Sequence, residues 1–503
     1  NHRTDEYGGS AENRARFLCE IIDEIHKTCG DDMPILVRIS ADDLMPDGNR
    51  IADTLELIPI IEAHGVDAWS VQAGFHEAPR PVANQIVPEG EFIDLAKQVK
   101  TVTSKPVFPG TRINTLDMCE KVVTEGYGDA VGMARQFIAD PDTARKVEEG
   151  RPEQVRPCIV CSRCLDNIFI GKPCQCSVNA NVWEGVEVGL PQDKPATEKQ
   201  HIAVVGAGPG GLEAARVAAE RGHKVTVLEK SDKLAGLLTM AQVLNANIEP
   251  LVSYWNEEMK LHPNIEIKLN TKVDVDTLRA LNPDQVIVSP GGGIIPIDVP
   301  GIDGKNVVKS EDIKAMCNGI VPEGKGMIWK AAVAAIKAQG GTVGFMRMGL
   351  NMKSGPTAIV GKRVVVVGGG NTAAADVIYL ARICRKVYLV HRRDKLRATA
   401  IYHERLRELG NVEFCWDSIA EEFITGENGR VTGLKLRNVK TDDERVLAAS
   451  AVFIAIGMRP YTAFLEGDLE TDGGGYIVAD AMGRTTMPGV FAAGDTRTKD
   501  LRQ

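Results

Sequence analysis

Apolar and polar positions follow two periods along the first 150 residues. Stretches at 11–29, 53–64, 91–103 and 115–126 repeat apolar residues at three- and four-residue intervals, the spacing of a helix with one buried face. Between them lie short β-type runs: ILVRIS at 35–40, AWSVQAG at 68–74, PVFPGT at 106–111 and DAVGMAR at 129–135. Strand and helix in alternation are the rhythm of a parallel sheet or barrel. Four such units make half of an eight-unit barrel, which takes about 250 residues. Half a barrel leaves two sheet edges unpaired. The chain opens on Asn1 in a polar stretch and stops abruptly in VFAAGDTRTKDLRQ, so the expectation is a piece of a longer protein, with the first half-barrel missing.

The period changes after residue 200. HIAVVGAGPGGLEAARVAAERGHKVTVLEK (201–230) reads as strand, glycine turn, amphipathic helix and second strand. Gly206, Gly208 and Gly211 match G-x-G-x-x-G in that setting. The first turns the chain, the second lets a pyrophosphate approach the backbone, and the third lets helix and strand pack closely. Glu229 ends the second strand, where a carboxylate accepts from ribose hydroxyls. A second copy, KRVVVVGGGNTAAADVIYLARICRKVYLVHRRDKLRA (362–398), has Gly368 and Gly370 with Ala373 in the third small position. Here His391, Arg392 and Arg393 replace the acid, with Arg397 beyond. Guanidinium groups bind a 2′-phosphate that an acid would repel, which favours NADPH, with NADH the alternative; the bland reading is a solvated basic turn. Two such folds imply a pair of nucleotides, FAD in one and NAD(P)H in the other. VFAAGD near the end places Gly494 and Asp495 after a strand, where the acid reaches flavin ribityl hydroxyls, so 451–503 is expected to return to the first fold.

Between the two patterns lies RPCIVCSRCLDNIFIGKPCQCSVN. Cys158, Cys161 and Cys164 follow C-x2-C-x2-C, with Cys174 and Cys176 one loop later. Four thiolates suit a 4Fe–4S cluster or structural zinc, and spacing alone does not separate these from each other or from inert cysteines. The remaining six of the 11 cysteines are scattered singly. The 59 Lys+Arg against 68 Asp+Glu give a net charge of −9, which argues against a nucleic-acid partner. No apolar run reaches the ~18 residues of a membrane span, and no signal peptide is seen, so the expectation is a soluble cytoplasmic protein.

Taken together, NHRTDEYGGSAENRARF, VRIS, GFHEA, PGTRI and GMARQFIADP resemble the C-terminal half of the old yellow enzyme barrel. The cysteine segment and the two nucleotide folds after it are similar to one subgroup of that family, the 2,4-dienoyl-CoA reductases, enoate reductases, bile-acid-pathway enone reductases and trimethylamine dehydrogenase. The resemblance implies an α/β chain in four parts. These are the C-terminal half of an FMN-binding TIM barrel (1–150), a 4Fe–4S segment (151–198), an FAD domain (199–305 and 451–503), and a Rossmann-like NAD(P)H domain inserted in it (306–450). By position, Arg38 contacts the FMN pyrimidine ring; Gly110, Arg112, Ala134 and Arg135 hold the FMN phosphate; and His76 meets the substrate. Cys176, before a Val-Asn pair, becomes the fourth cluster ligand in preference to Cys174. Ser289, Pro290 and Gly291 stand where the family usually has Ala-Thr-Gly.

The implied activity is reduction of the C=C bond of a small α,β-unsaturated carbonyl compound, electrons passing from NADPH to FAD, the 4Fe–4S cluster, FMN and substrate. An oligomer is implied as well. The alternative is an amine dehydrogenase feeding a carrier protein, which the C-x2-C-x2-C spacing favours and the basic turn of the second fingerprint opposes. Thioredoxin reductase activity is rejected, because Cys317 alone lies between 177 and 367 and no C-x-x-C precedes the second fingerprint.

Overall fold

The computed structural model describes residues 3–75, 78, 87–182 and 195–302 apart from 296; then 307, 309, 312, 315, 316, 320–322, 326–338 and 343; and 359–498 apart from 399, 428 and 466. The chain divides into two compact units, Asn1–Gln192 and Asp193–Gln503.

In the first unit, β1 (Leu36–Ser40), β2 (Ala68–Gln72) and β3 (Val107–Pro109) form a parallel sheet in that order. Helix Ala11–Cys29 precedes β1, and helices Ile51–Glu62 and Ile93–Val99 make the two connections between the strands. Ser10 caps the first, its hydroxyl accepting the Asn13 N–H at 3.3 Å. The apolar stripes of these helices, with Ala15, Ile22, Ile58 and Val99, pack on Val37, Trp69, Val71 and Val107. Alternation along β1 puts Leu36 (59% exposed) and Arg38 on the opposite face.

The fourth β-type run, 129–135, is not a strand. The Asp129 N–H bonds to the Val107 carbonyl at 2.8 Å and the Gly132 N–H to that of Pro109 at 3.0 Å, so the run lies along β3. The matching parallel bond would come from the N–H of residue 109, and proline has none. Helix Ala134–Ala139 begins instead.

The second unit opens with β4 (His201–Val205), β5 (Lys224–Leu228), β6 (Ile265–Lys268) and β7 (Gln285–Val288), followed by β8 (Gly292–Ile294). The second nucleotide pattern gives β9 (Arg363–Gly368), β10 (Lys386–Val390) and β11 (Val412–Cys415). An antiparallel meander follows, β12 (Ser418–Thr425), β13 (Val431–Asn438) and β14 (Glu444–Ala448), then β15 (Ala451–Ala455), β16 (Met458–Pro460) and β17 (Val490–Ala492). The two parallel sheets read β17-β7-β4-β5-β6 and β11-β10-β9-β15, each with its fingerprint strand in the interior. The meander lays Leu434, Leu436 and Leu447 on Val365, Val367 and Val390 of the second sheet.

One expected boundary moves. β15 pairs with β9, Ala451 opposite Val364, so residues 451–455 belong to the second sheet and not the first. The chain leaves it at Gly457, whose φ of 118° only glycine adopts readily. β16 pairs with β8, and β17 reaches the first sheet beside β7. Among the described residues no helix is long and apolar enough to cross a membrane.

Candidate functional site

The cysteine segment wraps a cleft lined by Cys158, Cys161, Cys164 and Cys176 together with Arg135 and Ser177. Cys174 does not line it. Val160 and Ser162 both sit in left-handed backbone, at φ 55° and 62°. For a β-branched valine that conformation costs on the order of 1–3 kcal/mol, strain of a kind concentrated at functional sites. It turns Cys158, Cys161 and Cys164 toward one centre. The Val160 N–H also donates to the Cys158 sulfur at 3.4 Å. Burial raises the thiol pKa of Cys158 and Cys164 and pushes that of Cys176 up to about 11, so filling this cleft with a thiolate-bound group releases protons.

Zinc fits poorly. Tetrahedral zinc draws its sulfurs to about 3.8 Å of one another, from Zn–S bonds of about 2.3 Å. Among the described residues the group of three ligand atoms within 4.8 Å is Glu220, Glu258 and His262, in the second unit and without a cysteine. Four thiols lining one cleft suit a cluster that takes one thiolate at each of four corners.

Of the expected FMN-phosphate residues, Arg135 lines this cleft, and Gly110, Arg112 and Ala134 are not among its lining residues. Gly110 packs against Gly132, where a side chain on Gly132 would lie 3.2 Å from the Gly110 Cα. Arg112 is buried in left-handed backbone (φ 57°), donating to the Val87 carbonyl at 3.0 Å and to Asn114 Oδ1 at 2.9 Å. Thr111 Oγ1 and Asn114 Nδ2 are buried without a partner, and a phosphate group would satisfy such atoms. Ala134 starts the short helix from which Arg135 reaches the cleft. Arg38 stands on the open face of β1 and donates to Gln72 Oε1 at 2.9 Å. His76 lies outside the described residues.

In the second unit the first fingerprint forms at the carboxyl ends of β4 and β7. Gly206 has φ 99°, and a side chain there would meet the Ser289 carbonyl. Gly208 caps helix Pro209–Glu220 and faces open space, leaving the helix N-terminus accessible to phosphate. The buried Glu229 accepts the Ala207 N–H at 2.8 Å and the Ser231 N–H at 2.8 Å. Gly494 (φ 71°) closes on the same turn, since a side chain at Gly210 would lie 2.9 Å from its Cα. Asp495 follows in the short helix Gly494–Thr496. Gly210 lies between the fingerprint positions, so the spacing gives no sign of its close approach to Gly494. Gly211 packs on the Gly206 carbonyl. Gly211→Ala should therefore cost about 1–3 kcal/mol by overpacking, and the variant should purify with less bound FAD and a lower Tm, measured by flavin absorbance and thermal melting.

The second fingerprint repeats this geometry. Gly368 would collide with the Ala455 carbonyl if substituted, Ala373 is fully buried, and Gly370 caps helix Asn371–Ala381 facing open space. The 392–398 turn folds onto the loop, the Arg397 N–H donating to the Gly369 carbonyl at 2.7 Å. Arg392, Arg393 and Arg397 are exposed at its rim. The His391 ring lies against Gly369 with Nε2 buried and unpartnered.

Burial, reinforced by the nearby Arg397, Arg393 and Arg392 charges, holds the His391 pKa below 6.5. A histidine depressed in this way stabilises the fold above its unfolded pKa of about 6.5 and loses that contribution as pH falls toward the lower folded value. The denaturation midpoint should therefore drop between about pH 7 and pH 5, and His391→Gln should flatten that drop.

Comparison with known proteins places these features. Residues 1–154 match the NADH:flavin oxidoreductase / NADH oxidase family and residues 200–503 the pyridine nucleotide-disulphide oxidoreductase family. An NADH oxidase of Thermoanaerobacter brockii is 30% identical over 484 residues, covering 94% of this chain and 67% of that protein. A metal reductase of Desulforamulus reducens is 36% identical over 322 residues, 63% of this chain and 48% of that one. A solved 2-naphthoyl-CoA reductase, in complex with 2-naphthoyl-CoA, superposes with a TM-score of 0.71 at 28% identity, covering 99% of this chain and 67% of that one. The chain thus spans from about half (48%) to two thirds (67%) of the length of these relatives. FMN, FAD, NAD(P)H and a 4Fe–4S cluster are the cofactors of this group. The chain belongs to the old yellow enzyme-like flavin oxidoreductases of the enoate reductase group, an NADH:flavin oxidoreductase segment followed by a pyridine nucleotide-disulphide oxidoreductase module.

Proposed function

We propose that the full-length protein is an NADPH-dependent reductase of the C=C bond of α,β-unsaturated carbonyl compounds. The observation that carries this reading is the second fingerprint, an open glycine turn at Gly370 with three exposed guanidinium groups at its rim and no acid at the strand end. A chain that takes in nicotinamide electrons works in the reductive direction. The substrate class follows the 2-naphthoyl-CoA reductase to which the fold is similar.

Flavins and an iron–sulfur cluster supply hydride transfer and single-electron transfer when bound, chemistry that no side chain provides. The work of this chain's residues is to bind, orient and polarise. Gly206, Gly208, Gly211, Glu229, Gly494 and Asp495 would hold FAD. Gly368, Gly370 and Ala373 would hold the NADPH pyrophosphate, with Arg392, Arg393 and Arg397 on the 2′-phosphate. Cys158, Cys161, Cys164 and Cys176 would ligate 4Fe–4S. Gly110, Arg112, Ala134 and Arg135 would take the FMN phosphate, and Arg38 its pyrimidine ring. His76 would donate a hydrogen bond to the substrate carbonyl oxygen, stabilising the negative charge that develops there as the β-carbon is reduced.

The test is anaerobic NADPH oxidation by the full-length protein. Consumption that begins only on adding an enoate, an enone or an enoyl-CoA thioester supports the reading. A second reading, an amine dehydrogenase, draws on the C-x2-C-x2-C spacing. Silence toward all three acceptors combined with reduction by a methylated amine would replace the first reading with the second.

A further inference from the structure

Gln136 is 1% exposed and follows Arg135 on helix Ala134–Ala139. A buried amide keeps its place only if its polar atoms are satisfied. Here Nε2 donates to the Arg156 carbonyl at 2.8 Å and to the Thr143 hydroxyl at 3.1 Å, and Oε1 accepts the N–H of Cys158 at 2.9 Å. Asp140, just past the same helix, accepts the Arg156 N–H at 2.8 Å and the Lys146 ammonium at 2.7 Å. The Arg156 guanidinium reaches the Val178 carbonyl at 3.1 Å, and Asn179 donates back to the Ile138 carbonyl at 3.0 Å. Both ends of the cysteine segment are therefore tied to one six-residue helix, the one that also carries Arg135 into the cleft.

The two amides next to the Cys158 sulfur have different fates. The Val160 N–H points at that sulfur, at 3.4 Å, whereas the Cys158 N–H is held by Gln136. Hydrogen bonds to cluster and ligand sulfurs are among the determinants of reduction potential, because they favour the more negative, reduced form. We propose that Gln136 is a positioning residue for the cluster: by holding the Cys158 N–H away from sulfur it keeps the reduction potential low, and it fixes Cys158 relative to Arg135. The proposal rests on the reading of the four cysteines as a 4Fe–4S site.

The test is a potentiometric titration of the full-length protein, loaded anaerobically with iron and sulfide and followed by electron paramagnetic resonance. A wild-type protein that binds no iron removes the site reading, and the proposal with it. With iron bound, Gln136→Leu should shift the reduced-to-oxidised ratio at a fixed potential about tenfold toward reduced, a rise of about 59 mV for a one-electron couple. Thr143→Val removes a different partner of Gln136 and leaves the Cys158 bond in place, so its midpoint should match wild type. An unchanged midpoint in Gln136→Leu, or an equal shift in Thr143→Val, overturns the proposal while leaving the site reading intact. Should Gln136→Leu lose its iron, Gln136→Glu decides. Its buried carboxyl stays protonated and can both donate and accept, so it must retain iron at the wild-type midpoint, and failure to do so also overturns the proposal.

Discussion

Cys176→Ser should strip the protein of iron and of its brown cluster absorbance, whereas Cys174→Ser should leave both in place. The two thiols stand two residues apart, yet only Cys176 lines the cleft with Cys158, Cys161 and Cys164. Its own surroundings agree, because burial raises the Cys176 thiol pKa and the neighbouring Cys158 and Cys161 add to the rise. Loss of a hydrogen-bond partner behind a metal ligand already costs about 10–100-fold in affinity, so loss of the ligand itself should exceed that. Iron and sulfide analysis of the two variants, reconstituted side by side, checks the expectation. Retention of a full cluster in Cys176→Ser with loss in Cys174→Ser would reverse the assignment.

The double variant Arg393→Ala/Arg397→Ala should raise KM for NADPH about 10–100-fold and leave KM for NADH nearly unchanged. Each charge-assisted hydrogen bond to phosphate is worth about 1.5–3 kcal/mol. Exposure and screening reduce this toward about 1 kcal/mol per exposed pair, and each 1.4 kcal/mol is about a factor of ten. The same reasoning predicts that added salt narrows the difference between wild type and variant. The Gly369 carbonyl holds the Arg397 backbone at 2.7 Å, so removing the side chain leaves the turn in place. Steady-state kinetics with both nucleotides, at low and high salt, makes the measurement. Equal losses with NADPH and NADH would show that the arginines shape the loop and do not read the 2′-phosphate.

What is legible in the sequence is local. The two fingerprints fix their turn, helix start and close packing within about 30 residues: Gly206, Gly211 and Gly368 sit against neighbours that exclude a side chain, and Ala373 is fully buried. The helix Ala11–Cys29 coincides with its apolar period because it packs one face on a sheet. What is not legible depends on partners distant in sequence. The run at 129–135 has strand composition but meets Pro109, which cannot return its hydrogen bond. The strand Ala451–Ala455 has no local mark of which of two similar sheets it joins, and its pairing with β9 is a tertiary choice. The meander from 418 to 448 does carry a local signal, since Leu434 and Leu436 alternate with polar residues and a Gly-rich turn precedes them, but it is hidden inside the span expected to bind a nucleotide. Around the cleft the cysteines announce themselves by spacing. Gln136, Asp140 and Arg156 do not, because each is an ordinary polar residue until folding brings it beside Cys158 or the segment's far end.

The central claim is that one chain takes electrons from nicotinamide and delivers them to an unsaturated carbonyl compound. The most direct measurement is the anaerobic absorbance and electron paramagnetic resonance of the full-length protein on addition of NADPH. The account predicts prompt bleaching of the flavin bands with appearance of a reduced-cluster signal, both reversed by a simple enone. Spectra unmoved by NADPH and NADH, but bleached by a methylated amine, would contradict it.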